Sequence, residues 1–192
     1  MISAFLLSIL LFFQPAVHHS FNIADTVYYS DSGYAEFTST VPLHTFTGES
    51  DHLTGMIDLN ENLIDFYIDL NTLKTGIERR DRDMYQTLNV KDHPFAEFTG
   101  SLDSTYSAIS DFHQKQSVTA IGEFTINGVI QNLEVEGFLH NQDGNLILVA
   151  EWTLSISDYD IVPPGILFYR VNEIQDIKIE VTLKPIPKSS LE

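Results

Sequence analysis

Apolar and polar residues alternate with a period of two along most of the 192-residue chain, which predicts strands with one buried face. Ile64, Phe66, Ile68 and Leu70 share one side of a run, with Asp65 and Asp69 on the other. Val118, Ala120, Gly122, Phe124 and Ile126 oppose Thr119, Glu123 and Thr125. Leu133, Val135, Gly137 and Leu139 alternate with Glu134 and Glu136. The longest stripe is Leu146, Leu148, Ala150, Trp152, Leu154 and Ile156; the last is Ile177, Ile179, Val181 and Leu183. Shorter runs at 34–41, 44–48 and 95–102 bring the set to about eight strands, and a run at 53–59 precedes the first stripe.

Turn residues punctuate these runs. Asp143-Gly144 sits where a hairpin turn would join two stripes, Asn60-Glu61-Asn62 separates two runs, and Asn127-Gly128 closes another. Pro163-Pro164-Gly165 marks a loop, because consecutive prolines cannot continue a ladder. Short connections favour an antiparallel meander. Long antiparallel strands with one apolar face lose their exposed edges by closing. The expected fold is therefore all-β, a single extended antiparallel barrel. At about eight strands its interior either fills with side chains or holds one small ligand. Ala120, Gly122, Gly137 and Ala150 either leave room on the inner face or accommodate bulky neighbours such as Trp152.

Residues 75–100 break the pattern. Residues 79–88 are helix-favouring, with Met84 and Leu88 one turn apart, and Pro94 precedes a return to strand. One short helical insert near 78–90 is expected, its Met84/Leu88 side buried over a barrel end as a lid. Lys74, Arg79, Arg80, Arg82 and Lys91 lie in or beside it, out of ten Lys and Arg in all. The Arg80-Asp81-Arg82-Asp83 alternation reads as a solvated, locally paired face.

Composition narrows the partners. A formal net charge of -17 repels phosphate backbones and anionic lipid surfaces, so nucleic acid is not expected as a partner. The absence of cysteine excludes disulfides, thiolate chemistry and Cys-based zinc sites. The apolar run at 4–13 is too short to span a bilayer but fits the core of a secretory signal peptide over residues 1–24. Gln14-Pro15-Ala16 and Asn22-Ile23-Ala24 are the candidate cleavage sites, leaving a domain over 25–192. No other stretch is long enough for a membrane span. The expected location is the periplasm or the exterior.

Two blocks, Thr75-Gly76 with Arg80-Asp81 and the segment GEFTINGV at 122–129, resemble the YceI-like family of bacterial periplasmic lipid-binding proteins. Thr75-Gly76, Arg80-Asp81, Met84, Pro94 and Phe98-Thr99 match its TG-x-x-x-RD turn and the strand that follows. Residues 122–129, GEFTINGV, match its G-x-L-T-I-N-G-V segment, and Ser157-Asp158-Tyr159-Asp160-Ile161 is a weaker third match. The resemblance covers about 34–183 and implies a lipocalin-like barrel with a hydrophobic tunnel. The implied ligand is a long-chain isoprenoid or fatty-acyl amphiphile, including isoprenoid quinones. Alternation and resemblance together place Phe66 and Ile68, Phe124 and Ile126, Trp152 and Leu154 on the tunnel wall. Phe37, Phe98 and Ile179 join them, with Met84 in the lid. Arg80 is the candidate headgroup contact. Apolar surface at such a mouth would also suit a homodimer.

Catalytic motifs are missing. No H-E-x-x-H, G-x-S-x-G, P-loop or G-x-G-x-x-G occurs. Seven histidines are scattered; His44 and His52 near Glu49 and Asp51 read as ordinary polar positions, so no metal site or cofactor is expected. A binding protein without covalent chemistry is the reading that results. A filled barrel serving as an interaction module, and a barrel enzyme using His52 with Asp51, are its rivals.

Overall fold

The computed structural model describes residues 26–41, 44–103, 115–163 and 171–191. The expected signal segment and Pro164-Gly165 lie outside them. Eight strands follow one another around a closed antiparallel barrel, each bonded to its neighbours in chain order, and the last returns to the first. They are β1 (Thr26–Val41), β2 (His44–Asp58), β3 (Leu63–Asp69), β4 (Phe95–Leu102), β5 (Gln116–Ile126), β6 (Val129–Gln142), β7 (Asn145–Ser155) and β8 (Ile174–Pro187). The helix α1 (Glu78–Thr87) lies between β3 and β4. Both the barrel and the single inserted helix are as the alternation predicts.

Two hairpins rest on the dipeptides that the sequence singles out. Asn127 and Gly128 have φ of 54° and 74°, and Asp143 and Gly144 have 54° and 86°. Positive φ at both central residues matches the right-handed twist of the flanking strands. Closing α1, Asn89 takes the left-handed conformation (φ 52°), with Val90 N–H bonded to Tyr85 O and Asn89 N–H to Gln86 O.

Several expectations change. The runs at 44–48 and 53–59 are one strand, β2, because β1 pairs with it through the polar segment between them. β1 itself starts at Thr26, and register shifts between Ser30, Gly33 and Ala35 change its phase. Gly122 does not leave room in the lumen. A Cβ there would stand 2.3 Å from Thr99 O, so this glycine lets β4 and β5 approach closely opposite Gly100. The Arg80–Asp83 segment is not uniformly solvated either: Asp81 is buried.

The inner faces meet most tightly near the β2–β3 hairpin. Val27, Ile57, Leu139, Leu146 and Leu183 are all 0% exposed there. A polar clamp seals that end from outside. Asp58 accepts the Asn60 and Glu61 amides, while Lys188 from beyond β8 donates to Asp58 Oδ2 at 2.8 Å and Glu61 Oε1 at 2.6 Å.

Candidate functional site

The other half of the barrel encloses a cavity of about 280 Å³. Its wall is made by the inner stripes of the strands, and α1 contributes Arg80, Asp83, Met84, Thr87 and Leu88 over its mouth. Ile156, which opens a 3₁₀ turn after β7 (Ile156–Tyr159), and Ile161 just beyond that turn complete that end. The residues that seal the opposite end (Val27, Ile57, Leu139, Leu146, Leu183) take no part in the wall.

Small residues explain why the lumen stays open here. Ala35, Ala96, Ala120, Gly137 and Ala150 occupy inward positions. Two phenylalanines are also folded against the wall. A Cβ on Gly55 would meet the Phe66 ring at 2.0 Å, and one on Gly48 would meet Phe37 at 2.1 Å. Each ring lies on the bare backbone of its cross-strand partner instead of projecting across the lumen.

The helix is held over the mouth by a polar latch. Thr75 donates to Asp81 Oδ1 through both its amide (2.8 Å) and its hydroxyl. Burial alone would raise the Asp81 pKa, but the two Thr75 bonds and the Lys74 and Arg80 charges outweigh it and hold the carboxyl below its ordinary value. Gly76 provides the turn at φ 76° between Thr75 and the helix that carries Asp81. A second tie runs from Lys74 Nζ to the Tyr85 hydroxyl at 2.6 Å, and Tyr85 donates to Leu73 O.

Arg80 points toward β2, its guanidinium 4.7 Å from the centre of the Phe46 ring. Phe46 in turn meets Phe37 edge to face at 6.1 Å. The local ion pairing expected along Arg80-Asp81-Arg82-Asp83 is not found among the described residues, where the two ion pairs both belong to Lys188.

All eleven candidate residues face this one cavity: Phe37, Phe66, Ile68, Arg80, Met84 and Phe98, then Phe124, Ile126, Trp152, Leu154 and Ile179. Nine of them stand on strands and share the inner face, and Arg80 and Met84 come from α1. Gln175, which also lines the cavity, escaped the sequence reading; its signal was a polar residue on an apolar stripe, two before Ile177.

His52 and Asp51 are exposed on β2 and do not enter the cavity. Among the described residues, no three His, Cys, Asp or Glu side chains gather as a metal site. No helix there is long and apolar enough to cross a membrane.

Known structures share this fold. A polyisoprenoid-binding domain from Saccharophagus degradans, implicated in plant cell wall breakdown, superposes with a TM-score of 0.71 at 15% identity, over 82% of this chain and 97% of its own. BcnA from Burkholderia cenocepacia does so with 0.62 at 14%, over 84% and 98%. No curated protein matches the chain. The YceI-like domain pattern matches residues 28–184, and with that span, the barrel and the Thr75–Asp81 latch in place, the chain belongs to the YceI-like domain family.

Proposed function

We propose that this protein is a periplasmic or secreted binding protein that holds a long-chain isoprenoid-like lipid or amphiphile in its barrel. The observation that carries the reading is the cavity of about 280 Å³, walled by apolar side chains inside a closed barrel and capped by a helix. The Saccharophagus domain of the same fold is named for polyisoprenoid binding, which supports the ligand class. Burial contributes about 0.8 kcal/mol per methylene, so roughly ten buried carbons would supply ~8 kcal/mol before ordering costs. Nothing in this function calls for covalent chemistry, since shape and apolar area do the work. The apolar run at 4–13 supports export, with the mature chain beginning after Ala16 or Ala24.

Native mass spectrometry of gently purified protein should find a co-purified lipid, and added polyprenol should change the fluorescence of Trp152, the single tryptophan, which stands in the cavity wall. Protein that carries no lipid and whose emission ignores polyprenol would end this reading.

A further inference from the structure

The chamber is blind at one end, and the boundary between its wall and the seal can be followed from strand to strand. On β6, Gly137 lines the cavity, while Leu139, the next inward residue, is 0% exposed and takes no part in the wall. On β7 the same step falls between Leu148 and Leu146, and on β8 between Ile179 and Val181. Strand pairing joins these steps, since Leu139 lies opposite Leu148 and Leu148 opposite Val181. On the other side of the barrel, Ile64 of β3 lines the wall and its partner Ile57 of β2 is sealed. Leu102 and Val118, from β4 and β5, join Ile64 and Leu148 in an apolar floor.

No polar side chain belongs to that floor. Arg80, Asp83 and Thr87 reach the wall from α1, and Gln175 from the start of β8, all at the mouth. Burying a polar group without a partner is costly, so an amphiphile enters tail first and keeps its head at the mouth. Two measures then give the length of tail that fits. Leu148 and Leu154, the deepest and the last inward wall positions on β7, are six residues apart. At ~3.3 Å per residue and a strand tilt of ~40°, they stand about 15 Å apart along the axis. An extended chain gains ~1.2 Å per bond, which makes about twelve bonds. Volume agrees. An apolar cavity of about 150 Å³ holds one benzene ring, so on the same scale a cavity of about 280 Å³ holds roughly eleven carbons.

We propose that this floor is a length stop, and that the ligand is an amphiphile whose buried tail has about twelve carbons (two or three isoprene units, or a medium straight chain). The proposal rests on the lipid reading above and narrows its ligand class. The tail end abuts Leu102, Val118 and Leu148, and the head stays beside α1. A longer polyprenyl chain is held by its terminal units alone, and its other carbons leave through the mouth without adding affinity.

The test is displacement of N-phenylnaphthylamine by straight-chain alcohols from octanol to octadecanol. Affinity should rise about fourfold per methylene as far as dodecanol, then change less than about twofold from tetradecanol to octadecanol. Among isoprenoid alcohols, farnesol should bind more tightly than geraniol and as tightly as geranylgeraniol. Ala120→Leu, one inward position above Val118, fills the floor and should make the break about three carbons shorter. Leu148→Ala opens the floor and should make it about three carbons longer. Leu154→Ala, at the mouth end of the same stripe, should leave the break in place, which separates a length stop from a general loosening of the barrel. Either floor variant serves if the other fails to fold. An unbroken rise to octadecanol, a break outside the range from decanol to tetradecanol, or one that stays put in the floor variants would overturn the stop and spare the lipid reading. If no alcohol displaces the probe from the unaltered protein, the lipid reading fails and takes the stop with it.

Discussion

The two ends of this barrel use the same alternation to opposite effect. Near the β2–β3 hairpin, branched residues of full size (Ile57, Leu139, Leu146, Leu183) meet across the lumen and exclude solvent completely. Along the chamber the inward positions go to Ala35, Ala96, Ala120, Gly137 and Ala150, and Phe37 and Phe66 lie flat over glycines. Period-two patterning therefore decides which way a side chain points, but volume decides whether facing walls touch. One end becomes a core that stabilises the fold. The other becomes a chamber, and its closure is left to a helix held by a few polar bonds.

That contrast is open to attack first by truncation. Leu183→Ala should cost about 3–5 kcal/mol in denaturant unfolding, because it opens a new void in a packed region. Leu154→Ala, on the cavity wall, should cost roughly half as much, since the space it leaves merges with the existing chamber. Equal losses would mean that both ends are cores of one kind.

Enlargement gives the reverse ordering. Val181 is 1% exposed and already crowds Gly33, so Val181→Leu should destabilise by about 1–3 kcal/mol despite adding a single carbon. Ala150→Leu adds more volume at the chamber wall and should cost less than about 1 kcal/mol. The price appears in binding instead: displacing the equivalent of two or three methylenes should weaken a long-chain lipid by ~2 kcal/mol, on the order of thirtyfold. An Ala150→Leu protein that unfolds early and binds lipid normally would point to a filled interior at both ends.

How much of this was legible in sequence follows from the same distinction. The strand faces were, since side-chain direction is a local property, and so were the hairpins at Asn127-Gly128 and Asp143-Gly144. The beginning of β1 was not, because the register shifts around Gly33 break the alternation that a reader follows. Gly122 misled because its purpose depends on Gly100, a residue of the neighbouring strand. Asp81 looked like one more charge on a charged helix. Its burial depends on Thr75, six residues earlier and outside the helix, a contact that no periodicity announces. The nine candidate residues on strands share the chamber for the reason the faces were legible, whereas Arg80 and Met84 reach it from α1. The chamber's existence was not legible, because it depends on what stands across the lumen.

The smallest expected difference is also the most direct test of the lid. Asp58 at the packed end and Asp81 at the helix are both held below the ordinary carboxylate pKa. Burial opposes this at Asp58, but the Lys188, Glu61 and Asn60 bonds outweigh it. In the unfolded chain both return to about 4. Between that value and their lower folded values, unfolding takes up protons, so the stability they contribute is complete above pH 4 and drains away as the pH falls. The exposure of Lys188 keeps its share small. Each carboxylate should account for about 1 kcal/mol, but in different observables. Asp58→Asn should lower the global unfolding free energy and flatten its acid dependence, because that clamp joins the chain end to the β2–β3 hairpin. Asp81→Asn should leave the global midpoint nearly unchanged while accelerating amide exchange in α1 and the release of bound lipid. If Asp81→Asn instead lowered global stability as much as Asp58→Asn, with α1 exchanging no faster than the strands, the helix would be part of the core and the mouth would need another gate.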